Sequence, residues 1–185
     1  FFINIAVDIP AVFKVMDQLE KLGVTVVYID MMQAYSIESF VSLYIRSIQK
    51  KQGNLQKFIN LLANTVKCVR PTVSFGSDGS PEFSIDFVEK NISANAINEV
   101  LELPQKLATD GSEVVVVFDE FQEVTRFKEI RFEELLRSKI QQQRVNYLFL
   151  GSKTHLLNDM FNNSKRPFYN SALTMQLDSL PVDDT

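Results

Sequence analysis

Apolar residues along this chain alternate between short continuous runs and helical stripes. Residues 5–9 make a short apolar run broken by Asp8 and bounded by Pro10, which fits a buried strand. Val12, Val15, Met16, Leu19 and Leu22 then recur at helical spacing, and Gly23 sits where a C-terminal cap is expected. "VTVVYID" (24–30) is rich in β-branched and aromatic residues and too continuous to be half exposed. It predicts a central parallel strand.

Ser36 is placed to cap a helix carrying Ile37, Phe40, Val41, Tyr44, Ile45 and Ile48 on one face, and a second helical stretch covers about 55–66. "PTVSFGSDGSPEFSIDF" alternates apolar and polar residues on either side of "SDGSP". It predicts a β-hairpin over about 71–87, turning near Asp78 and Gly79, as an insertion on a sheet edge. Residues 95–107 read as helix with a kink or break at Pro104. After "EVVVVFDE" come a helix near 132–142, the run "VNYLFLGS", a short helix over 156–161 and a last strand in "ALTMQL". Five apolar strands alternating with helices predict an α/β protein whose parallel sheet is covered on both faces.

Composition narrows this picture. A chain of 185 residues with 45% hydrophobic content is long enough for one sizeable core, so one domain over 1–185 is expected. Nineteen basic against 23 acidic residues, a net charge of -4, argue against a sequence-wide grip on nucleic acid, although a local basic groove stays open. Cys68 and His155 are the only residues of their kinds, which excludes an intramolecular disulfide and a cysteine-rich zinc site and argues against histidine-based metal ligation. The lone cysteine and the lack of any apolar run of about 18–20 residues suit a cytoplasmic protein. The ends, "FFIN" without methionine and "PVDDT", suggest a longer parent protein.

Candidate chemistry concentrates in "VVVVFDEFQEV" (114–124). A strand buried on both faces ends there in two adjacent carboxylates, at the C-terminal edge where open α/β sheets bind ligands. Two neighbouring anions cost desolvation and repulsion unless a cation offsets them, and Mg²⁺ is a natural counterion. Because neighbouring strand residues point to opposite faces, Asp119 and Glu120 are expected to do different jobs: Asp119 holds the metal, and Glu120 orients and deprotonates an attacking water. The plain alternative is a strand leaving the core into a polar loop. "YLFLGS" puts Ser152 at the same sheet edge, within reach of a terminal phosphate, or equally as the N-cap of the next helix.

The joint between the first strand and its helix, Pro10, Ala11 and Val12, is the topological place of a phosphate-binding loop. The sequence has no glycine-rich run and no "GK[ST]" there or elsewhere. Two readings follow: a loop missing from this stretch of chain, or a degenerate protein that dispenses with it.

"VVVVFDEFQEV", "LFLGSKTHLLNDMF", "KRPFYNSALTMQLDSLP" and the hairpin together resemble the archaeal-type P-loop ATPase family, in particular its bacterial members. The resemblance covers nearly the whole chain from Val12 onward. It implies the ASCE-type P-loop fold related to AAA+ and STAND ATPases, with five parallel strands in the order 5-1-4-3-2 sandwiched by helices, and a winged-helix-like region after this chain. It further implies an ATPase that uses ATP and Mg²⁺, with Asp119 as the Walker B acid, Glu120 as catalytic glutamate and Ser152 as sensor. Arg166, in the "RPFY" segment, matches a position suited to an arginine finger, though a surface arginine beside Pro167 is the plain reading. Gln122 matches the "DEFQ" pattern without an evident role. A protein partner or self-association is expected for a switch driven by hydrolysis, and the alternative is a non-catalytic interaction module. Arg126, Lys128, Arg131 and Arg137 mark either a contact surface or a solvated helix face.

Overall fold

A computed structural model of the chain describes residues 2–6, 9–89, 91–108, 112–128 and 130–176. Five parallel strands, β1 (Phe2–Ala6), β2 (Thr25–Asp30), β5 (Val114–Asp119), β6 (Asn146–Leu150) and β7 (Leu173–Gln176), form one sheet in the order β2-β5-β6-β1-β7. Between them run α1 (Ile9–Lys21), α2 (Ile37–Gln49), α3 (Leu55–Thr65), α4 (Ala94–Leu101), α5 (Leu103–Leu107), α6 (Phe132–Ile140) and α7 (Thr154–Asn162). Strands β3 (Val69–Phe75) and β4 (Pro81–Phe87) pair antiparallel as a separate two-stranded sheet. Among the described residues no helix is long and apolar enough to cross a membrane.

Strand alternation divides the core between the two faces of the sheet. Val26, Val117 and Leu150 pack with Val12 and Met16 of α1 on one face. Val27, Ile29, Val116, Phe118 and Phe149 face the larger core, covered by α2, α4, α6 and α7. The α2 stripe is entirely interior: Ile37, Phe40, Val41, Tyr44, Ile45 and Ile48 are all buried. Its start is sealed by Ser36, whose hydroxyl accepts from Ser39 N-H while Ser39 Oγ accepts from Ser36 N-H, a reciprocal cap. Gly23, at φ 86°, closes α1 as expected: its N-H bonds Glu20 O and Val24 N-H bonds Leu19 O.

Several expectations change. The first strand ends at Ala6 and α1 begins at Ile9, so Ile9 and Pro10 belong to the helix, while Asp8 lies outside the described residues. Proline is tolerated there because first-turn N-H groups have no intrahelical acceptor. Val15 and Leu22 are 52% and 80% exposed, so the α1 stripe is narrower than its spacing suggests. Strand β2 lies at the sheet edge rather than its centre. Its apolar run reflects coverage of both faces, by α1 and α2, and carries no information about neighbours on either side. The hairpin adds no strand to the main sheet edge. Pro104 does break the helical segment, into α4 and α5.

Candidate functional site: the carboxyl end of the sheet

Strand β5 delivers the acid pair. Val115 and Val117 turn toward α1, and the same alternation sends Asp119 to that side. Asp119 is 7% exposed; its Oδ1 accepts from Glu120 N-H at 2.8 Å, and its Oδ2 accepts the hydroxyl of Tyr28. Tyr28 lies on β2, where Asp30 is the ladder partner of Asp119. Asp30 caps a 3-10 turn, Met31–Gln33, accepting from Met32 N-H at 2.9 Å and from Gln33 Nε2 at 3.0 Å. The Tyr28 hydroxyl is pushed well above its ordinary range, first by burial, then by its hydrogen bond to Asp119 and the negative charge of Asp119, Asp30 and Glu120. It therefore remains a protonated donor.

Glu120 leaves the strand in a left-handed conformation, φ 50° and ψ 43°. Such a backbone in a non-glycine residue costs roughly 1–3 kcal/mol. The direction of its side chain thus comes from this turn, not from the strand alternation that sequence reasoning used. Its Oε2 accepts from Ser152 Oγ at 3.0 Å and from Gln122 Nε2. A 3-10 helix, Phe121–Arg126, follows directly.

That 3-10 segment is strapped to the loop after β6. Gln122 is 1% exposed and its amide oxygen lies where a side chain on Gly151 would be, 2.2 Å from an ideal Cβ. Glu123, 3% exposed, bonds Lys153 Nζ at 3.0 Å and pairs with Arg126. Consecutive residues therefore hold both sides of Ser152, which is itself exposed. Beneath them, Phe121 meets Phe149 at 4.4 Å and Phe168 at 5.2 Å, and Phe161 meets Phe168 at 5.6 Å between ring centroids. The phenylalanines of "DEFQ", "LFLG", "MF" and "RPFY" are thus one aromatic cluster, and it fastens the 3-10 segment, β6 and α7 together.

Of the candidate residues, the fold brings Asp119, Glu120 and Ser152 together. Pro10, Ala11 and Val12 form the first turns of α1, and Val12 is a core residue, 4% exposed. Arg166 is engaged elsewhere: Nη2 lies 2.9 Å from Glu133 Oε1 and Nε 3.6 Å from Asp159 Oδ2. Sequence reasoning missed Tyr28, Asp30, Glu123 and Lys153. Only Asp30 left a signal, since "YID" ends its strand in an acid as "VFD" does.

A divalent cation fits the donor set. Asp30, Asp119 and Glu120 have no lysine or arginine partner among the described residues, and each Asp119 oxygen has one recorded donor and a lone pair to spare. No group of three or more His, Cys, Asp or Glu among the described residues makes a complete metal cage. Mg²⁺ needs only one or two protein carboxylates, the rest of its shell being phosphate and water, and the spare lone pairs of Asp119 meet that need.

No family model matches the chain, and no curated protein matches it. Among solved structures it is similar to a Walker-type ATPase of Pyrococcus abyssi, with 15% identity and a TM-score of 0.55, over 95% of this chain and 47% of that one. It also aligns with the ORC2 protein of Aeropyrum pernix, solved in ADPNP-ADP complexes, at 16% identity and TM-score 0.44 over 95% of this chain and 41% of that one. A third is Cdc6p of Pyrobaculum aerophilum, at 11% identity and TM-score 0.48 over 94% and 38%. The chain spans less than half the length of each of these proteins. The first likeness shows the fold alone: this chain shares the α/β fold of that Walker-type ATPase.

Proposed function

We propose that this chain is an ATP-binding and ATP-hydrolysing P-loop domain of the AAA+-like, ASCE type, in which hydrolysis drives a conformational switch acting on a partner. The observation that carries this is the acid pair at the carboxyl end of β5, with Ser152 donating to Glu120 from the neighbouring strand end. Numbered through the five parallel strands alone, the sheet reads 5-1-4-3-2 from the β7 edge, which supports the ASCE assignment, with the β3-β4 hairpin as an insertion in a single domain over 1–185.

Asp119, oriented by Tyr28, would hold Mg²⁺ with its remaining lone pairs. Bound there, the ion supplies charge neutralisation on the phosphates. Glu120 is the general base: it takes a proton from water, whose oxygen bonds to the terminal phosphorus as the bond to the leaving diphosphate oxygen breaks. Ser152 is the sensor that couples this carboxylate to the end of β6. The phosphates lie at the start of α1, over Pro10, Ala11 and Val12, where the free N-H groups of Ala11 and Val12 favour anions and Pro10 supplies no donor. Val12 contributes backbone only, its side chain being core. Arg166 acts as an arginine finger only on leaving Glu133 and Asp159, for its own site or a neighbour's. The partner is a protein or a second copy in a cytoplasmic setting, and the net charge of -4 disfavours nucleic acid.

A second reading, a non-catalytic P-loop interaction module, is favoured by one observation. Only residues 7 and 8 separate β1 from α1, too few for a phosphate-cradling loop. Phosphate release from Mg-ATP by the full-length protein discriminates the two. The ATPase reading expects turnover that falls at least about 100-fold in Glu120→Gln with nucleotide still bound. Folded protein that neither binds nor hydrolyses ATP leaves the module.

A further inference from the structure

We propose that Gln122 is a positioning residue that locks the Glu120 carboxylate in the orientation used for water activation, an inference that rests on Glu120 being the base. Gln122 is 1% exposed, and a buried amide is costly unless it is hydrogen-bonded. Its Nε2 donates to Glu120 Oε2. The reverse orientation would set an amide oxygen against a carboxylate oxygen, so charge alone selects this one. The Gln122 oxygen is then left with no partner among the described residues.

Space for that oxygen exists only because residue 151 is glycine. A Cβ there would stand 2.2 Å from Gln122 Oε1 and 2.7 Å from Leu157 Cδ1. Glu120 meanwhile adopts its left-handed turn, which presents the side chain to Gln122 and Ser152 together. Three constraints converge on one carboxylate: a strained backbone, an unpaired buried acceptor and a buried glycine where no side chain fits. A leucine or methionine at 122 would remove the unpaired acceptor and fill the same interior position, so stability alone does not account for the glutamine.

The arrangement is also asymmetric. Both recorded donors, Gln122 and Ser152, use Oε2. Oε1 has no donor among the described residues, so it is the oxygen open to a water proton. Gln122 thereby decides which lone pairs face the substrate, while touching no substrate itself.

The test uses the full-length protein and the Gln122→Met variant, which keeps length and volume and loses the donor. Crystal structures of the two are compared for the Glu120 side chain, and kcat, KM and nucleotide Kd are measured in parallel. The expected result is a Glu120 carboxylate rotated off Ser152, with kcat lowered at least tenfold and nucleotide Kd within twofold of wild type. Gly151→Ala, which drives Gln122 away from the other side, should reproduce both changes; it also stands in should Gln122→Met fail to fold. A Glu120 side chain that stays on Ser152 in the folded variant, with kcat unchanged, overturns the proposal. Absence of hydrolysis in the wild type sinks the ATPase reading instead, and the structural comparison still decides whether Gln122 holds Glu120.

Discussion

Glu133 shows how single side chains in this protein balance burial against charge. It sits at the start of α6, faces Arg166, and has one carboxyl oxygen with no partner among the described residues. Burial raises its pKa, Arg166 opposes that rise, and Glu134 and Asp159 add to it; the net direction is upward. A carboxyl raised in the folded state binds more protons there than in the unfolded chain, where its pKa is about 4.3. Its stabilising contribution is therefore complete below that value and is lost as pH rises through the folded pKa. Urea unfolding of wild type and Glu133→Gln across the acid-to-neutral range should show the wild type losing stability relative to the variant as pH increases. The opposite slope would mean that the Arg166 pair outweighs burial.

Secondary elements here are terminated by identifiable chemistry. Ser36 and Ser39 close the start of α2, Asn54 accepts from Lys57 N-H at 3.0 Å to start α3, and Ser93 accepts from Ala96 N-H at 3.2 Å to start α4. Removing the first should be felt most, because α2 covers the sheet with an unbroken buried stripe. Ser36→Ala is expected to cost about 1 kcal/mol, read as a lower urea midpoint with unchanged slope. These elements were readable from letters, since cap residues and the i, i+3, i+4 stripe act over a few residues. The 3-10 helix Phe121–Arg126 was not, because its residues also carry the apolar spacing of a strand leaving the core. The edge position of β2 was equally invisible, as a run of buried residues reports coverage above and below and nothing about strand neighbours.

Across the whole molecule, the carboxyl edge of the sheet depends on a core far from the acids in sequence. Phe121 follows Glu120 directly and packs on Phe149, Phe161 and Phe168, which belong to three later segments. Phe121→Ala is expected to lower global stability by about 3–5 kcal/mol and, by loosening the 3-10 segment, to reduce any activity more than the loss of folded protein explains. Circular dichroism melts paired with activity per folded molecule would separate those effects. Activity that tracks the folded fraction alone would show that the aromatic cluster supports the fold without guiding Glu120.

Local order was settled within the chain's own letters. Buried strands, capped helices, the hairpin turning at Gly79 and two acids at a strand end all arise from interactions spanning a few residues, and the sequence displays them. Which atoms meet at that strand end was decided only by folding. Tyr28 reaches Asp119 across 91 positions, Ser152 reaches Glu120 across 32, and Lys153 reaches Glu123 across 30. Such pairs depend on strand order and on how the 3-10 segment packs against the loop after β6. No local pattern encodes that geometry, because its energy comes from contacts that exist only once the sheet is closed.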